Sequence, residues 1–307
     1  MENNKLYDMV ILGGGPAGAT AALYGARAGM PVVIIEQMTL GGEICSTDRL
    51  DNFPAFPDGV SGAEFGMLLQ KQMDNLDVPV VSGQVEKVSL LGEVKTVETT
   101  AGEFKGKTVL IATGTEPNLL NVEGETELRG RGVSYCATCD AAFFRGKKVA
   151  VVGGGDAALE ETIFLTRFAE KVYLIHRRDK FRGCNWLQDK VLKIPSVEVL
   201  WNSTVNKIEG EDRVSGLNIK QDGKDRSVGI DGIFIYAGRK PNAEFLESVD
   251  LECDERGFII TTSKMETSVP GVYAAGDIRQ TFLRQVITAA SDGAVAATAC
   301  SQRLYTY

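Results

Sequence analysis

The chain has 307 residues, enough for two domains that each bury a core of their own. With 44% hydrophobic and 24% charged residues and no run of about 18 apolar residues, the composition is typical of a globular protein and argues against a membrane span. The net charge of −8 argues against nucleic-acid binding, which depends on clustered lysine and arginine. The first residues, MENNKLYD, show no basic segment followed by an apolar one, so we expect a cytoplasmic protein without a secretory signal.

The first predicted element is an apolar strand that leads into a glycine-rich turn, YDMVILGGG. Gly13, Gly15 and Gly18 follow the spacing G-x-G-x-x-G before a predicted helix, and Glu36 ends the next apolar run, PVVIIE. This context is typical of a dinucleotide site: a tight turn, close approach of the backbone to a pyrophosphate, a helix N-terminus facing the phosphates and an acid for the ribose hydroxyls.

The segment SYCATCDAAFF at 134–144 sets Cys136 and Cys139 in a C-x-x-C motif, with Asp140 directly after it. Such a pair suits a metal clamp, a structural disulfide or a redox dithiol. A zinc site needs about four ligands, whereas the chain has one C-x-x-C and one histidine. Because cytosolic reductants keep structural cysteines reduced, the motif favours a redox dithiol and no metal. The other cysteines, predicted to be small apolar residues without chemistry, are Cys45, Cys184, Cys253 and Cys300.

The pattern of strand, glycine turn, helix and strand at 8–37 recurs without a gap at 148–177. The second turn keeps Gly153 and Gly155, and Ala158 takes the place of the third glycine. A repeat of a whole nucleotide-binding unit predicts two dinucleotide sites in one chain.

The residue that aligns with Glu36 in the second repeat is His176, and Arg177 and Arg178 follow it. An acid here would bind ribose hydroxyls and repel a 2′-phosphate, whereas these cationic residues suit one. We therefore predict NADPH rather than NADH at the second site, with Arg182 as a further phosphate contact. A solvated basic turn at the surface is the alternative.

Two further segments echo one another and indicate how the domains are arranged. KTVLIATGTEPN at 107–118 and GIFIYAGRKPN at 232–242 each read as the closing strand of a nucleotide-binding domain. We predict an α/β protein of two three-layer, Rossmann-like domains, in which residues 118–243 are inserted between 1–117 and 244–307. Because electrons must then pass from NADPH to a second cofactor, the first site is predicted to hold FAD, which can pass electrons to a disulfide.

The ordered set of motifs resembles the low-molecular-weight thioredoxin reductases and covers nearly the whole chain. The matching stretches are GGGPAG at 13–18, GGEI at 41–44, DNFP at 51–54, IATG at 111–114, CATCD at 136–140, GGGDAALEE at 153–161, HRRDKFR at 176–182, GVYAAGD at 271–277 and RQV at 284–286. Ala141, where the family often has glycine, and the pair Asp156-Ala157 in the second turn depart from the usual pattern.

The resemblance implies the residues that bind each cofactor. For two of these residues a structural role is the alternative to cofactor binding: Asn52 could belong to a plain turn, and Asp277 could cap a helix. For FAD the implied residues are Gly13, Gly15, Pro16, Ala17, Gly18, Glu36, Gly42, Asn52, Val85, Thr113, Gly114, Gly276, Asp277, Arg284, Gln285 and Val286. For NADPH they are Gly153, Gly155, Asp156, Ala157, His176, Arg177, Arg178 and Arg182.

The resemblance also implies a reaction. Cys139 lies nearer the flavin, Cys136 attacks the disulfide of thioredoxin, and Asp140 moves the proton. It further implies a homodimer and a rotation of the NADPH domain between two states. Three alternatives stay open: another thioredoxin-like or peroxiredoxin partner, a ferredoxin or other electron donor, and a non-enzymatic dinucleotide-binding redox sensor. The end of the chain, with Tyr305 and Tyr307, is predicted to be a frayed tail, the alternative being an aromatic residue that stacks on a flavin.

Overall fold

The structure is a computed structural model and describes residues 5–47, 50, 52–247 and 249–305, without the side chains of residues 138 and 139. The chain forms two compact units. One unit contains the residues up to Glu116 together with those from Lys240 onward, and the other runs from Pro117 to Arg239. The second unit is therefore an insertion in the first.

The first unit is built on a seven-stranded sheet with the order β3-β2-β1-β6-β5-β4, and β17 also pairs with β6. Strands β1, β2, β3, β6 and β17 run parallel, whereas β4 and β5 are antiparallel to their neighbours. Its strands are β1 (Leu6–Leu12), β2 (Val32–Glu36), β3 (Val80–Ser82), β4 (Val85–Ser89), β5 (Lys95–Thr99), β6 (Gly102–Ile111) and β17 (Val272–Ala274); its helices are α1 (Pro16–Arg27), α2 (Gly62–Asp74) and α6 (Val286–Leu304).

Both faces of this sheet are covered, which explains the continuous apolar runs of its parallel strands. On β1, Met9 and Ile11 join the core cluster that contains the alanines of α1 and α6, while Val10 and Leu12 join the cluster on the opposite face. The two helices pack closely because Gly293 on α6 lies against α1, where a Cβ would come within 2.0 Å of the Ala17 carbonyl oxygen.

The second unit contains a five-stranded parallel sheet with the order β11-β10-β9-β15-β8 and a three-stranded antiparallel sheet, β12-β13-β14. Helices α4 and α5 share a core with one face of the parallel sheet, and the antiparallel strands share a core with its other face. Its elements are β8 (Val133–Ser134), α3 (Ala137–Asp140), β9 (Lys148–Val152), α4 (Asp156–Leu165), β10 (Lys171–Ile175), α5 (Asn185–Leu192), β11 (Val197–Leu200), β12 (Ser203–Gly210), β13 (Val214–Gln221), β14 (Lys224–Gly229) and β15 (Gly232–Ile235).

The predicted repeat is confirmed in the elements and in the sheets. Strand β1, helix α1 and strand β2 correspond to β9, α4 and β10, and each set ends its first strand in a glycine turn. The predicted closing strands also lie where expected, with β6 paired to β1 and β15 paired to β9. The short strands β7 (Thr115–Pro117) and β16 (Arg239–Pro241), at the two points where the chain crosses between units, pair with each other.

No helix in the described part of the chain combines the length and the apolar character needed to cross a bilayer.

Candidate functional site

The first glycine turn, between β1 and α1, combines two crowded glycines with one open glycine. A Cβ on Gly13 would lie 2.4 Å from the Ala112 carbonyl oxygen, and one on Gly18 would lie 1.9 Å from the Gly13 carbonyl oxygen. At Gly15 the nearest neighbouring atom would be 3.9 Å away. Since Pro16 and Ala17 begin α1 immediately afterwards, the open backbone stands at a helix N-terminus, where an anion is stabilised.

Glu36, at the end of β2, supports this turn with its carboxylate. Its Oε2 accepts a hydrogen bond of 2.6 Å from the Gly14 N–H, and its Oε1 accepts one of 2.8 Å from the Met38 N–H. The Gly41 N–H in turn donates to the Gly14 carbonyl at 2.8 Å, which brings Gly42 against the same turn. A carboxylate has about four lone-pair sites, so Glu36 keeps capacity for further donors such as ribose hydroxyls.

The side chains of Asn52 and Gln285 meet although 233 residues separate them, with a hydrogen bond of 2.8 Å from Nδ2 to Oε1. Gln285 precedes the first turn of α6, where its N–H donates to the Thr288 hydroxyl at 3.1 Å. Val286, the next residue, and Phe53 each pack against the buried cluster of Leu50, Val60 and Phe65. The structure thus brings together three residues that the resemblance assigns to flavin binding. Asp51, from the same motif, lies outside the described residues.

The turn after β17 carries Asp277, and Arg284 lies against it. The Arg284 guanidinium stacks 4.1 Å from the centre of the Phe258 ring, and its Nε lies 3.5 Å from the Asp277 carbonyl oxygen. Burial lowers the pKa of Arg284, and the charge of Asp277 opposes that effect. Gly276 adopts φ 77°, and its N–H donates to Asp292 on α6 at 3.1 Å. The turn is therefore held by both charged and main-chain contacts.

The remaining predicted FAD residues lie on the segments that follow β3 and β6. The Thr113 hydroxyl donates to the Asn242 carbonyl at 2.7 Å, and Gly114, with φ 66°, has no atom within 4 Å of a Cβ position. Val85 begins β4 and is half-buried against the sheet. It stands two residues after Gly83, whose N–H donates to the Glu36 carbonyl at 3.0 Å.

The second glycine turn, between β9 and α4, repeats this design. A Cβ on Gly153 would lie 2.6 Å from the Ala158 Cβ, whereas Gly155 has no atom within 4 Å of a Cβ position. Asp156 begins α4 and accepts a hydrogen bond of 2.6 Å from the Cys184 N–H, while Ala157 is exposed beside it. The open glycine is again at a helix N-terminus, as a phosphate group requires.

His176 is buried, although the arginines that follow it in the sequence are exposed. Only 6% of the residue is exposed, and its two ring nitrogens each lie 3.0 Å from a main-chain oxygen, of Gly153 and of Lys180. Burial lowers the pKa of His176, and the charges of Arg182 and Arg178 act in the same direction. Both ring nitrogens thus face main-chain oxygens beneath the glycine turn, and a contact of His176 with a 2′-phosphate stays a prediction.

The arginines of the same segment differ from His176 in their exposure to solvent. Arg177, Arg178 and Arg182 are exposed, and within the described part of the chain no ion pair involves any of them. Three exposed guanidinium groups without acidic partners suit a multiply charged anion. Their contact with a 2′-phosphate stays a prediction.

Cys136 is half-buried and takes part in a disulfide, and Cys45, Cys184, Cys253 and Cys300 are free. The Cys136 N–H donates to the Ser134 hydroxyl at 3.1 Å. Cys139 lies in the short helix α3, and its side chain is outside the described set. Asp140 ends α3 half-buried, and its N–H lies 3.3 Å from the Cys136 carbonyl oxygen.

Sequence reasoning missed two tyrosines near this segment. The Ala137 N–H donates to the Tyr236 hydroxyl at 2.9 Å, and burial strongly raises the pKa of Tyr236, which therefore stays protonated. Tyr135 donates at 2.7 Å to Glu125, a buried carboxylate that also accepts from two main-chain N–H groups. Burial and this hydrogen bond raise the pKa of Tyr135. Neither pairing had a signal in the sequence, because each depends on how separate strands and loops meet.

Tyr305 is not free at the end of α6, because its hydroxyl donates to the buried carboxylate of Asp8. This contact ties the end of α6 to β1. Tyr307, named with it in the sequence prediction, lies outside the described residues. Within the described ranges no group of three or more His, Cys, Asp or Glu side chains is arranged to hold a metal ion.

Comparison with known proteins extends over both units. The sequence matches the family described as pyridine nucleotide-disulphide oxidoreductase over residues 7–293. It is 41% identical to the thioredoxin reductase of Bacillus subtilis, over 97% of this chain and 94% of that protein, and 39% identical to that of Treponema pallidum, over 98% of each. The fold is similar to the crystal structure of Lactococcus lactis thioredoxin reductase in its FR conformation, with a TM-score of 0.94 and 38% identity, over 98% of this chain and 100% of that one. Both glycine turns and the C-x-x-C segment fall within the matched range.

Proposed function

Because this chain belongs to the pyridine nucleotide-disulphide oxidoreductase family, we propose that it is a thioredoxin-disulfide reductase that uses NADPH and FAD. The observation that carries the proposal is that two similar glycine turns occur in a chain with a disulfide at Cys136. One turn lies next to an acidic residue, and the other lies next to exposed arginines. Electrons would pass from NADPH through FAD and the pair Cys136 and Cys139 to the disulfide of thioredoxin.

The residues of the first unit fit FAD. A ligand can approach the backbone at Gly15, the Glu36 carboxylate has lone pairs left for ribose hydroxyls, and the Asn52–Gln285 pair supplies amide groups for a flavin ring. When bound, FAD accepts a hydride from NADPH and supplies two electrons to a disulfide. Asp277, on the turn fixed by Arg284, is proposed to contact the ribityl and phosphate end.

The residues of the second unit fit NADPH. Gly155 leaves space for a diphosphate at the start of α4, and no acid stands where Glu36 stands in the first repeat. Arg177, Arg178 and Arg182 are proposed to hold the 2′-phosphate. This exposed basic turn favours NADPH over a ferredoxin as the electron donor, because a protein donor needs no 2′-phosphate contact.

The dithiol performs the exchange with thioredoxin. The Cys136 thiolate attacks one sulfur of the partner disulfide, the bond between the two partner sulfurs breaks, and the departing thiolate takes a proton. The Cys139 thiolate then attacks the Cys136 sulfur, which releases the second partner thiol and restores the disulfide of the enzyme. Asp140, half-buried directly after Cys139, is proposed to hold the proton that the thiols exchange.

The similarity to these relatives also indicates the partner, the oligomeric state and the compartment. The relatives are thioredoxin reductases, so thioredoxin is the proposed partner, with a homodimer in the cytoplasm as the proposed working form. Turnover with thioredoxin tests the alternatives, which are another thioredoxin-like or peroxiredoxin partner and a redox sensor.

The deciding experiment is NADPH-dependent reduction of a thioredoxin disulfide by the purified protein. We expect flavin absorption bands, turnover in the parent, and loss of turnover in Cys136→Ser. Cys253→Ser serves as the matched control, because Cys253 is an exposed, free cysteine in the other unit. Unchanged turnover in Cys136→Ser, or a protein without flavin, would overturn the proposal.

A further inference from the structure

The basic turn at 177–182, which carries the exposed arginines, is attached to the second unit at only a few points. At one end the Arg178 carbonyl accepts a hydrogen bond of 3.2 Å from the Asn202 N–H, and at the other the Arg182 N–H donates to the Gly154 carbonyl at 2.7 Å. Between these ends, among the described residues, the polar attachment of the turn is the contact of 3.0 Å between His176 Nε2 and the Lys180 carbonyl oxygen.

The opposite side of the same ring holds the glycine turn. His176 Nδ1 lies 3.0 Å from the Gly153 carbonyl oxygen, and the ring packs so closely under Gly154 that a Cβ there would lie 2.3 Å from it. One buried side chain therefore spans the loop that receives the diphosphate and the turn that carries the arginines.

The ring cannot leave this place easily, because aromatic neighbours enclose it. Phe181 and Trp201 pack with ring centres 4.3 Å apart, and the imidazole lies 5.5 Å from Phe181 and 6.1 Å from Trp201. Phe181 belongs to the basic turn itself and is buried. The backbone position of the turn is thus set from below by His176 and Phe181, while the arginine side chains remain free on the outside.

We propose that His176 is a positioning residue for NADPH specificity, which fixes the register of the basic turn against the glycine turn without touching the phosphate. The inference rests on the proposed use of NADPH at this site. Its consequence is that selectivity for the 2′-phosphate depends on an imidazole that no ligand reaches. A residue that merely supported the domain would affect every nucleotide equally.

The test is the affinity of the FAD-loaded protein for two probes, 2′,5′-ADP and 5′-AMP, measured by isothermal titration calorimetry. His176→Leu removes the single N–H of the neutral ring, which donates to one of the two main-chain oxygens. We expect the Kd of 2′,5′-ADP to rise about 10-fold or more, as for loss of one well-placed charged contact. The Kd of 5′-AMP should change by less than about 2-fold, because the glycine turn keeps its own steric contacts. His176→Gln keeps one donor and should restore part of the selectivity.

Arg178→Gln distinguishes the failure of this inference from the failure of the proposed NADPH site. If Arg178→Gln weakens only 2′,5′-ADP but His176→Leu and His176→Gln bind both probes like the parent, the positioning role is overturned. An equal loss of both probes in the histidine variants also overturns it. If Arg178→Gln has no effect on either probe, the NADPH assignment itself fails. Should His176→Leu not fold, His176→Phe, which keeps an aromatic ring but has no N–H, replaces it under the same two criteria.

Discussion

Asp292 on α6 allows a sharp test of what holds the turn that carries Asp277. Its carboxylate accepts hydrogen bonds from Arg279 Nε at 2.7 Å, from Arg279 Nη2 at 2.8 Å and from the Gly276 N–H at 3.1 Å. The side chains of Asp292 and Arg279 are 8% and 17% exposed, so the pair is largely out of water. We expect Asp292→Asn to loosen the turn and to weaken FAD binding.

The expected loss of stability depends on Arg279, the charged partner that remains buried after the substitution. Removing one member of a buried ion pair costs about 3–5 kcal/mol, because the other charge is left in an apolar environment. Arg279 keeps a hydrogen bond of 3.0 Å to the Gln280 carbonyl, which places the expected loss at the lower end. A loss of about 3 kcal/mol corresponds to a fall in Tm of about 6–12 °C for a unit of this size.

The assay is thermal unfolding followed by circular dichroism, with the FAD content measured on the same samples. Glu103→Gln is the matched control, since Glu103 pairs with Lys105 at 3.0 Å where both side chains are 43–50% exposed. An exposed pair contributes about 0–1 kcal/mol, so this variant should unfold like the parent. If Asp292→Asn also unfolds within about 1 kcal/mol of the parent and keeps its FAD, the argument from burial is wrong.

Three further outcomes are expected. Replacing Arg177 and Arg178 together by glutamine should raise KM for NADPH far more than KM for NADH, and equal changes would contradict the 2′-phosphate assignment. Gly18→Ala places a Cβ 1.9 Å from the Gly13 carbonyl oxygen, so the purified variant should contain little FAD, and a normal ratio of flavin to protein absorbance would refute the steric argument. Because burial lowers the pKa of His176 below its ordinary 6.5, the unfolded chain takes up this proton first as the pH falls. The free energy of unfolding should therefore decline as the pH falls below about 6.5, and His176→Gln, compared with the parent by urea unfolding, should lose this part of the pH dependence.

The repeated strand, turn and helix could be predicted from the sequence because their spacing is imposed by contacts within about 30 residues. Gly13 and Gly153 stand at positions where a Cβ would strike neighbouring atoms, and Gly15 and Gly155 where the backbone faces open space. The crowding and positive φ at Gly13 and Gly153 remain visible in one chain, since only glycine fits there. The parallel order of the sheets follows from the same units, because a strand that is followed by a crossover helix pairs with a parallel neighbour.

Contacts between distant segments left no signal in the sequence comparable to the spacing of these glycines. The meeting of Asn52 with Gln285 depends on where α6 begins relative to the loop before α2, and that of Tyr236 with Ala137 depends on the pairing of β15. The resemblance to a family named Asn52 and Gln285, but no spacing in the sequence indicated Tyr236. Such contacts are set by the packing of whole elements, which a local pattern does not contain.

His176 and Glu36 occupy the same position of the two repeats with different chemistry. Glu36 ends β2 and His176 directly follows β10, and each approaches the middle residue of its glycine turn. The Glu36 oxygens accept main-chain N–H groups and still have lone pairs for a ligand. An imidazole has only two nitrogens, and in His176 both face main-chain carbonyl oxygens. An acid at this position can therefore support the turn and still accept ribose hydroxyls, whereas the histidine supports the turn, and the proposed contact with a 2′-phosphate falls to the exposed arginines that follow it.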